Sequence, residues 1–411
     1  MYLCIDMRSF FASVECSIRG LNPLSIPLAV VDDRRGGGAL VMAATPALKA
    51  YGVKSRCRLF DIPSNIFFIR AKPRMKYYIY YAKRIHDIFL RFVSPSDCFV
   101  YSIDESFLKV DSYMSIYGTP KVMAQKIMAV ILNELGINST CGAGDNMYLA
   151  KISLDIMAKK NEGYFYLTED DFKKKLWNHT PITDFWMIAG GISNHLARLG
   201  IYTMKGIAEA SDELMKKEFG ILGEEMKLHA LGKENVDIQM VKNYVPLNKS
   251  LSRSQILFTD YNKEDAWIPL LEMTYLLSIQ MCINNLDAKG LSFYVGYNQK
   301  SSMASICKNI TFEYRLRDFS VIQKILKDSY FRYVFEGDIR SVGISFFGVL
   351  KIGGRQTNLF YKENEKNINL TLTIGDIQSR FGKNAILPGT ALYDKSTLIY
   401  RNKCIGGHNG E

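Results

Sequence analysis

Twice along its 411 residues this chain spells strand, helix, strand, strand, helix, strand, and between the two runs lies a stretch that spells only short helices. That order leaves few options, because elements joined in this way bury their apolar sides as helices on one face of an antiparallel sheet, an α+β sandwich. The first run opens with an apolar strand, Tyr2 to Asp6, and passes at once into the helical pattern "SFFASVECSI", with Ser9 placed as its N-cap. It continues through a hairpin in "CFVYSIDESFLKV" (Cys98 to Val110), a helix from Pro120 to Leu135, the strand "STCGAG" and a helix carrying "MYLAKISLDIMAKK". The second run reads "SLSRSQILF", the helix "AWIPLLEMTYLLSIQMCINNL", the strands "LSFYVGYNQ" and "SMASICKNITF", the helix "FSVIQKILKDSYFRYVF" and the strand "IRSVGISFFGVL".

A chain of this length exceeds one compact core, so the runs belong to separate domains. Inserted into the first is "PLAVVDDRRGGGALVMAATPALKAYGV", whose strands, Gly-rich turn and short helix are too few for an independent core. From about Phe172 to Leu231 glycines punctuate a purely helical module. "NVDIQMVKNYV" loses helical periodicity and reads as a linker to about Tyr244, and the last stretch, 352–411, looks appended.

Composition narrows the function. Fifty-two Lys and Arg against 41 Asp and Glu give +11 and a pI near 9.1, an excess that a phosphate-rich partner explains, although it also serves simple solubility. No apolar run approaches the roughly 20 residues of a membrane span, and the chain begins directly as a strand, so a cytoplasmic protein without a membrane partner is expected. Eight scattered cysteines without a Cys-x-x-Cys pair fit reduced thiols.

The hairpin is interrupted by Asp104 and Glu105, and acids in turns are ordinarily just solvated. Asp6, however, ends the first strand where a helix begins. If the hairpin turn lies beside that strand end, three carboxylates converge on a pair of divalent ions about 3.5–4 Å apart, as two-metal phosphoryl or nucleotidyl transfer requires. Magnesium suits such hard oxygen ligands. Free N–H groups around Ser9, Phe10 and Phe11, with Lys49, Lys151 and Lys159, supply what a triphosphate needs.

The segments "CIDMRSFFASVE", "ATPALKAYGVK", "VYSIDESFLKV", "CGAGDNMYLAKISLDIMAKK", "PITDFWMIAGGISNHLARLGI" and "SLSRS" together resemble the Y-family DNA polymerases that copy damaged templates, in particular their UmuC branch in Gram-positive bacteria and mobile elements. The resemblance implies a right-hand architecture: palm at 1–17 and 74–167, fingers at 18–73, a helix-hairpin-helix thumb at 168–236, a linker at 237–247, a βαββαβ little finger at 248–351, and a tail at 352–411. It implies that Asp6 and Asp104 bridge two Mg²⁺ ions, for which Mn²⁺ substitutes, that Glu105 completes the site activating the primer 3′ hydroxyl, and that the main-chain carbonyl of Met7 completes the nucleotide's metal site. Phe11 becomes the steric gate against a 2′ hydroxyl. The nucleotide set is Ser9, Phe10, Phe11, Ala44, Thr45, Lys49 and Lys159, with both lysines on the β- and γ-phosphates.

Two departures from the family pattern stand out. Pro46 replaces a tyrosine found in some branches, leaving Thr45 to compensate. In the thumb, Trp186, Met187, Ile188 and Ala189 stand where the branch has Trp-Gly-Ile-Gly, and the glycines come later as Gly190 and Gly191, expected against the DNA backbone. Further DNA phosphate contacts are expected from Lys249, Arg253, Lys300, Lys308 and Arg340. In "GGRQTNLFYKE", Gln356, Leu359 and Phe360 have the spacing of a peptide that docks on a sliding clamp (the β clamp). The implied partners are therefore primer-template DNA, dNTP, the clamp and a damage-response accessory such as a recombinase filament, with the enzyme on the nucleoid during synthesis. Small fingers and the lack of room for a proofreading exonuclease predict low fidelity. The competing readings are a nucleotidyl cyclase with a palm-like domain and a non-catalytic primer-end binding protein.

Overall fold

The computed structural model describes the chain except residues 33–35, 37, 55, 247–248, 354–363 and 411 and the side chain of residue 160. It divides into two compact units, Met1–Tyr244 and Val245–Gly410.

In the first unit the palm sheet is built from β1 (Tyr2–Met7), with β2 (Leu28–Val31), β3 (Val41–Ala44) and β4 (Ile69–Ala71) set aside in a separate fingers sheet. The palm helices are α1 (Phe10–Ile18), α3 (Met75–Phe89), a short α4 (Met114–Tyr117) and α5 (Pro120–Leu135), while α2 (Pro46–Lys49) lies in the fingers. With β5 (Cys98–Val100), β6 (Glu105–Lys109), β7 (Ser139–Gly144) and β8 (Tyr164–Leu167), the palm order is β5-β6-β1-β7-β8. The acidic hairpin β5–β6 therefore flanks the central strand from the sheet edge.

Two expectations change here. The sheet is mixed, because β8 pairs parallel to β7; "GYFYL" is too short and irregular in pattern to announce that strand. Nor is β1 covered on one face only. Tyr2 and Cys4 pack with Ala150, Leu154 and Ile238, and Leu3 and Ile5, whose side chains alternate to the other face, are fully buried too.

Glycines in β7 explain how close the next helix comes. A Cβ on Gly142 would sit 2.3 Å from the Ala150 carbonyl oxygen, and one on Gly144 would sit 2.5 Å from the Ala150 nitrogen, so α6 (Met147–Ile152) lies directly on the strand. The single helix expected through Lys160 is instead α6, a π-helical turn over Ser153–Met157 and a 3₁₀ turn over Ala158–Lys160. A π turn takes up an extra residue and rotates the segment C-terminal to it.

The fingers sheet, ordered β3-β2-β4, closes on a small cluster of Ala29, Val41, Ala44, Leu48, Val53 and Ile62 and rests on α1, as its size demands. The thumb comprises α7 (Glu169–Leu176), α8 (Gly190–Arg198), α9 (Met204–Glu209), α10 (Asp212–Phe219) and α11 (Ile221–Ala230) around Phe172, Phe185, Leu196 and Met215. The expected linker begins as a helix, α12 (Ile238–Asn243), capped by the Asp237 side chain. Its one fully buried apolar residue, Ile238, joins the palm cluster, and Gln239 Nε2 donates to the Ser96 carbonyl at 2.8 Å. One anchor in six residues leaves no periodicity to read.

The second unit has the expected βαββαβ order: β9 (Leu251–Tyr261), α13 (Lys263–Ile283), β10 (Leu286–Tyr297), β11 (Ile306–Leu316), α14 (Phe319–Tyr333) and β12 (Ile339–Phe347). The antiparallel sheet runs β11-β10-β12-β9, with β13 (Leu350–Lys351) paired to β10. Contrary to expectation, α13 is long and apolar enough to cross a membrane by length and composition. It is the core helix of this unit, with Leu270, Met273 and Leu277 against the sheet.

The C-terminal stretch is not a loose appendage. Helix α15 (Glu365–Phe381), α16 (Leu398–Lys403) and a small hairpin of β14 (Cys404–Ile405) and β15 (His408–Asn409) fold onto this unit. Leu276 of α13 packs with Ala391 and Leu398. Glu272, which sequence periodicity alone would place in an apolar helix face, accepts hydrogen bonds from Ser396, Thr397 and Arg401.

Candidate active site

Antiparallel pairing sets Asp6 of β1 directly opposite Glu105 of β6, and the Met7 N–H donates to the Asp104 carbonyl at 2.9 Å. The three acids therefore meet at one strand end. Alternation puts Asp6 on the same face as Tyr2 and Cys4, the face that α6 crosses. Burial pushes the Asp6 carboxyl up to about 7, and the Asp104 charge adds to this, while Lys159 works against it.

Asp104 accepts from the Ser102 hydroxyl at 2.6 Å, which holds its carboxylate in the turn. Glu105 is 8% exposed and is engaged on the protein side: Lys151 Nζ lies 2.7 Å from Oε1, and the Cys4 thiol donates to the same oxygen at 3.0 Å. Lys151 also reaches Asp155 at 3.1 Å. Burial opposes the charge on Lys151, but Glu105 and Asp155 together outweigh it and hold its pKa above the ordinary lysine range. Among the described residues no three carboxylate, histidine or cysteine side chains form a ready nest for a metal ion.

The nucleotide-binding expectations divide. Phe10 is in the core, so only its main chain is available to a ligand, whereas Phe11 is half-buried and stacks on Tyr78 with centroids 4.5 Å apart and 17° between planes. Tyr78 is fixed in turn, its hydroxyl donating to Glu15 at 2.9 Å. Glu15, fully buried in α1, also holds Arg74 and Arg19. Burial raises its pKa, but hydrogen bonds from Arg74, Arg19 and Tyr78 outweigh that and leave it below the usual glutamate range. This chain from Glu15 to Tyr78 to Phe11 was missed in the sequence. Its one signal was an acid amid the apolar residues of "SVECSI".

Ser9 does not cap α1. It adopts a left-handed conformation (φ 51°), makes no side-chain cap, and its hydroxyl accepts from Lys49 Nζ at 2.8 Å. Burial lowers the Lys49 pKa, and the neighbouring Lys159 charge lowers it further, so the two ammonium groups are near enough to repel each other. Lys159 lies 3.6 Å from Asp155, on the segment C-terminal to the π turn. Thr45 does not compensate for Pro46. It is fully buried, caps α2 by accepting from Leu48 N, and bonds Leu28 N and the Ile26 carbonyl, each at 2.9 Å. Ala44 is likewise buried in the fingers cluster, and the partly exposed neighbour is Ala43.

In the thumb, Gly190 and Gly191 are the first residues of α8, where an added Cβ would meet nothing within 4 Å. The left-handed position falls earlier, at Met187 (φ 71°), where the branch has glycine. Met187, with its Cβ in a left-handed conformation, carries conformational strain.

The second unit presents its own candidate surface. Register aligns Asn309, Ser292, Ser345 and Ser252 across all four strands, with Tyr294, Gly343 and Ser254 in the next row, on the sheet face away from the helices. Small hydroxyl and glycine residues let a phosphate backbone approach closely. Two expected phosphate contacts lie elsewhere. Arg253 alternates with Ser252 and Ser254 and points to the helix side with Leu251 and Leu257, while Lys308 lies 4.6 Å over the Tyr333 ring of α14. Arg340 bonds the Phe258 carbonyl at 3.3 Å and approaches Asp260, and Lys249 and Lys300 are exposed. Gln356, Leu359 and Phe360 lie outside the described residues.

Comparison with known proteins fits this geometry. A model of the impB/mucB/samB family matches residues 5–155, the span that holds all three acids. A protein of Bacillus subtilis (strain 168) named for UV-damage repair, UvrX, is 32% identical over 99% of this chain and 97% of its own length. DNA polymerase IV 2 of the same organism is 28% identical over 98% and 97%. Among solved structures, a Dbh–Dpo4 chimera of a Y-family DNA polymerase aligns with a TM-score of 0.63 at 19% identity, covering 85% of this chain and 99% of that one, which bears on the fold alone. With its acids opposed across β1 and β6, and with a full-length relative above 30% identity, the chain belongs to the impB/mucB/samB family of Y-family DNA polymerases.

Proposed function

We propose that this Y-family polymerase adds deoxynucleotides to a primer end in translesion synthesis, with Asp6, Asp104 and Glu105 as its chemical centre. The observation that carries the reading is the direct opposition of Asp6 and Glu105 with Asp104 alongside, within electrostatic reach of Lys49 and Lys159. The donor set fits a divalent cation. Like charges crowded into a buried site raise the Asp6 pKa, a cost that a hard cation removes, and the oxygens of Asp6, Asp104, Glu105 and the Met7 carbonyl suit Mg²⁺. Bound there, two ions lower the pKa of the attacking hydroxyl and neutralise charge on the reacting and leaving phosphate oxygens.

The protein's own groups do the rest. Lys49 and Lys159 bind and orient the β- and γ-phosphates, and Ser9 holds Lys49 in position until they arrive. Lys151 holds the Glu105 side chain in place and would share it with a cation bound there. Phe11, buttressed by Tyr78, blocks a 2′ hydroxyl. The serine rows of the second unit contact DNA phosphates without reading bases. A small fingers sheet leaves the pair under loose steric control, which favours damaged templates over fidelity. Gln356, Leu359 and Phe360 provide the dock for a sliding clamp, a small apolar anchor beside one amide; alanine at all three removes clamp-stimulated synthesis and spares distributive extension.

Primer extension on undamaged and abasic templates tests the reading. Template-directed addition of deoxynucleotides on both supports it. A cyclic nucleotide product, or extension that ignores the template, overturns it.

A further inference from the structure

Behind the sheet of the second unit, on the side opposite the serine rows, α13, α15 and α16 enclose a cavity of about 340 Å³. Its rim and floor carry Arg253 of β9, Arg401 of α16 and Lys383, and no carboxylate is among its described lining residues. Arg401 Nη2 donates to the buried Glu272 at 2.8 Å, yet its Nε and Nη1, and the Nε of Arg253, are buried N–H groups without an acceptor. Buried donors are nearly always satisfied in folded proteins, so these three, on two guanidinium groups that line one cavity, leave room for an oxygen acceptor there. After Glu272 offsets Arg401, Arg253 and Lys383 leave two positive charges. That matches a phosphate monoester, which carries about −1.5 to −2 near neutral pH, better than a carboxylate.

Leu276, Ile279 and Ile283 of α13 give the cavity its apolar lining, beside the polar Gln280 and Asn284. The volume is at the small end of ligand pockets, enough for one nucleotide-sized molecule and too little for a duplex. Burial holds the Arg401 pKa down at about 10; Glu272 works against this, and the nearby Arg253 charge adds to it.

We propose that this cavity is a binding site for a small phosphate monoester of mononucleotide size, its phosphate held by Arg253, Arg401 and Lys383 and its apolar part against α13. Such a ligand ties the C-terminal module to the sheet, within the unit that does not hold the polymerase acids.

The test uses the full-length protein in chelator, so that the catalytic site is not loaded with metal and triphosphate. Calorimetric titration compares inorganic phosphate, 2′-deoxyadenosine 5′-monophosphate, sulfate and deoxyadenosine. The monophosphate is expected to bind more tightly than phosphate or sulfate, and deoxyadenosine not at all. Loss of one charge-assisted contact in Arg253→Gln or Lys383→Gln should weaken binding at least about tenfold. Both variants are checked for wild-type melting in chloride; if Arg253→Gln melts early, Lys383→Gln carries the result. The proposal is overturned if the monophosphate does not bind, if sulfate matches it, if both variants bind as wild type, or if binding is lost instead in a Lys49→Ala, Lys159→Ala double variant.

Discussion

Replacing Glu272 by alanine should detach the C-terminal module from the second unit. The carboxylate is 1% exposed and accepts from the Ser396 hydroxyl, from Thr397 N and Oγ1 at 3.3 Å, and from Arg401 Nη2 at 2.8 Å. Its removal strands Arg401, whose side chain is only 15% exposed and whose other buried N–H groups are already unpaired. Breaking one side of a buried ion pair costs roughly 3–5 kcal/mol. In a unit the size of Val245–Gly410, each kcal/mol lowers Tm by roughly 2–4 °C, so a fall of roughly 6–20 °C is expected in its transition. Scanning calorimetry reads the transition, and limited proteolysis should show cleavage moving into α15. A Glu272→Leu, Arg401→Met double variant removes both charges and should recover most of the loss, because the desolvation cost disappears with the pair. A shift under about 1 kcal/mol in Glu272→Ala, or a double variant worse than either single one, would refute the reasoning.

Other perturbations read other parts of the molecule. Phe11→Ala should raise ribonucleotide relative to deoxynucleotide incorporation by roughly 10–200-fold, the range one side-chain-sized change in a pocket allows; unchanged discrimination in single-nucleotide kinetics returns Phe11 to a packing role. Lys49→Ala should weaken dNTP binding by about tenfold or more through one lost charge-assisted contact, seen as a higher KM, and an unchanged KM removes it from the triphosphate site. Glu15, held below its usual 4.5 by Arg74, Arg19 and Tyr78, contributes stability to the first unit that is fully present above about pH 4.5 and lost as pH falls through its depressed folded value. Acid titration of Tm should show that slope in the wild type and a flatter one in Glu15→Gln.

The chemistry was legible because it sits where pattern is strongest. Asp6 ends a short apolar strand and Asp104 and Glu105 interrupt an apolar hairpin, and the register that sets Asp6 opposite Glu105 comes from those strands pairing at all. The hidden features depend on contacts between residues far apart in sequence. Nothing in "AATPAL" announces that Thr45 is turned inward as a cap, and the pairing of Glu15 with Arg74 spans 59 residues. Arg253 shows how one step of parity decides a role: period two sends Ser252 and Ser254 to the open face and the arginine behind the sheet. The C-terminal module escaped because its anchor is a polar residue in an apolar helix, a signal that reads as noise until Arg401 and Ser396 arrive from more than 120 positions away. Its α15 also leaves much of its apolar surface in the open, with Leu370, Leu372 and Phe381 exposed and Ile368 its one buried large apolar side chain.

The most direct measurement of the central claim separates binding from turnover in Asp104→Ala. Asp104 holds no structural ion pair among the described residues, unlike Glu105 with its Lys151 partner, so the variant should fold as wild type. Single-turnover primer extension in magnesium and primer-template affinity are measured on the same preparation. Loss of a carboxylate that positions the reacting phosphate removes several kcal/mol of transition-state stabilisation, so extension should fall on the order of a thousandfold or more while DNA affinity is unchanged. Extension by Asp104→Ala at a rate near that of the wild type would contradict the assignment of these acids as the polymerase centre.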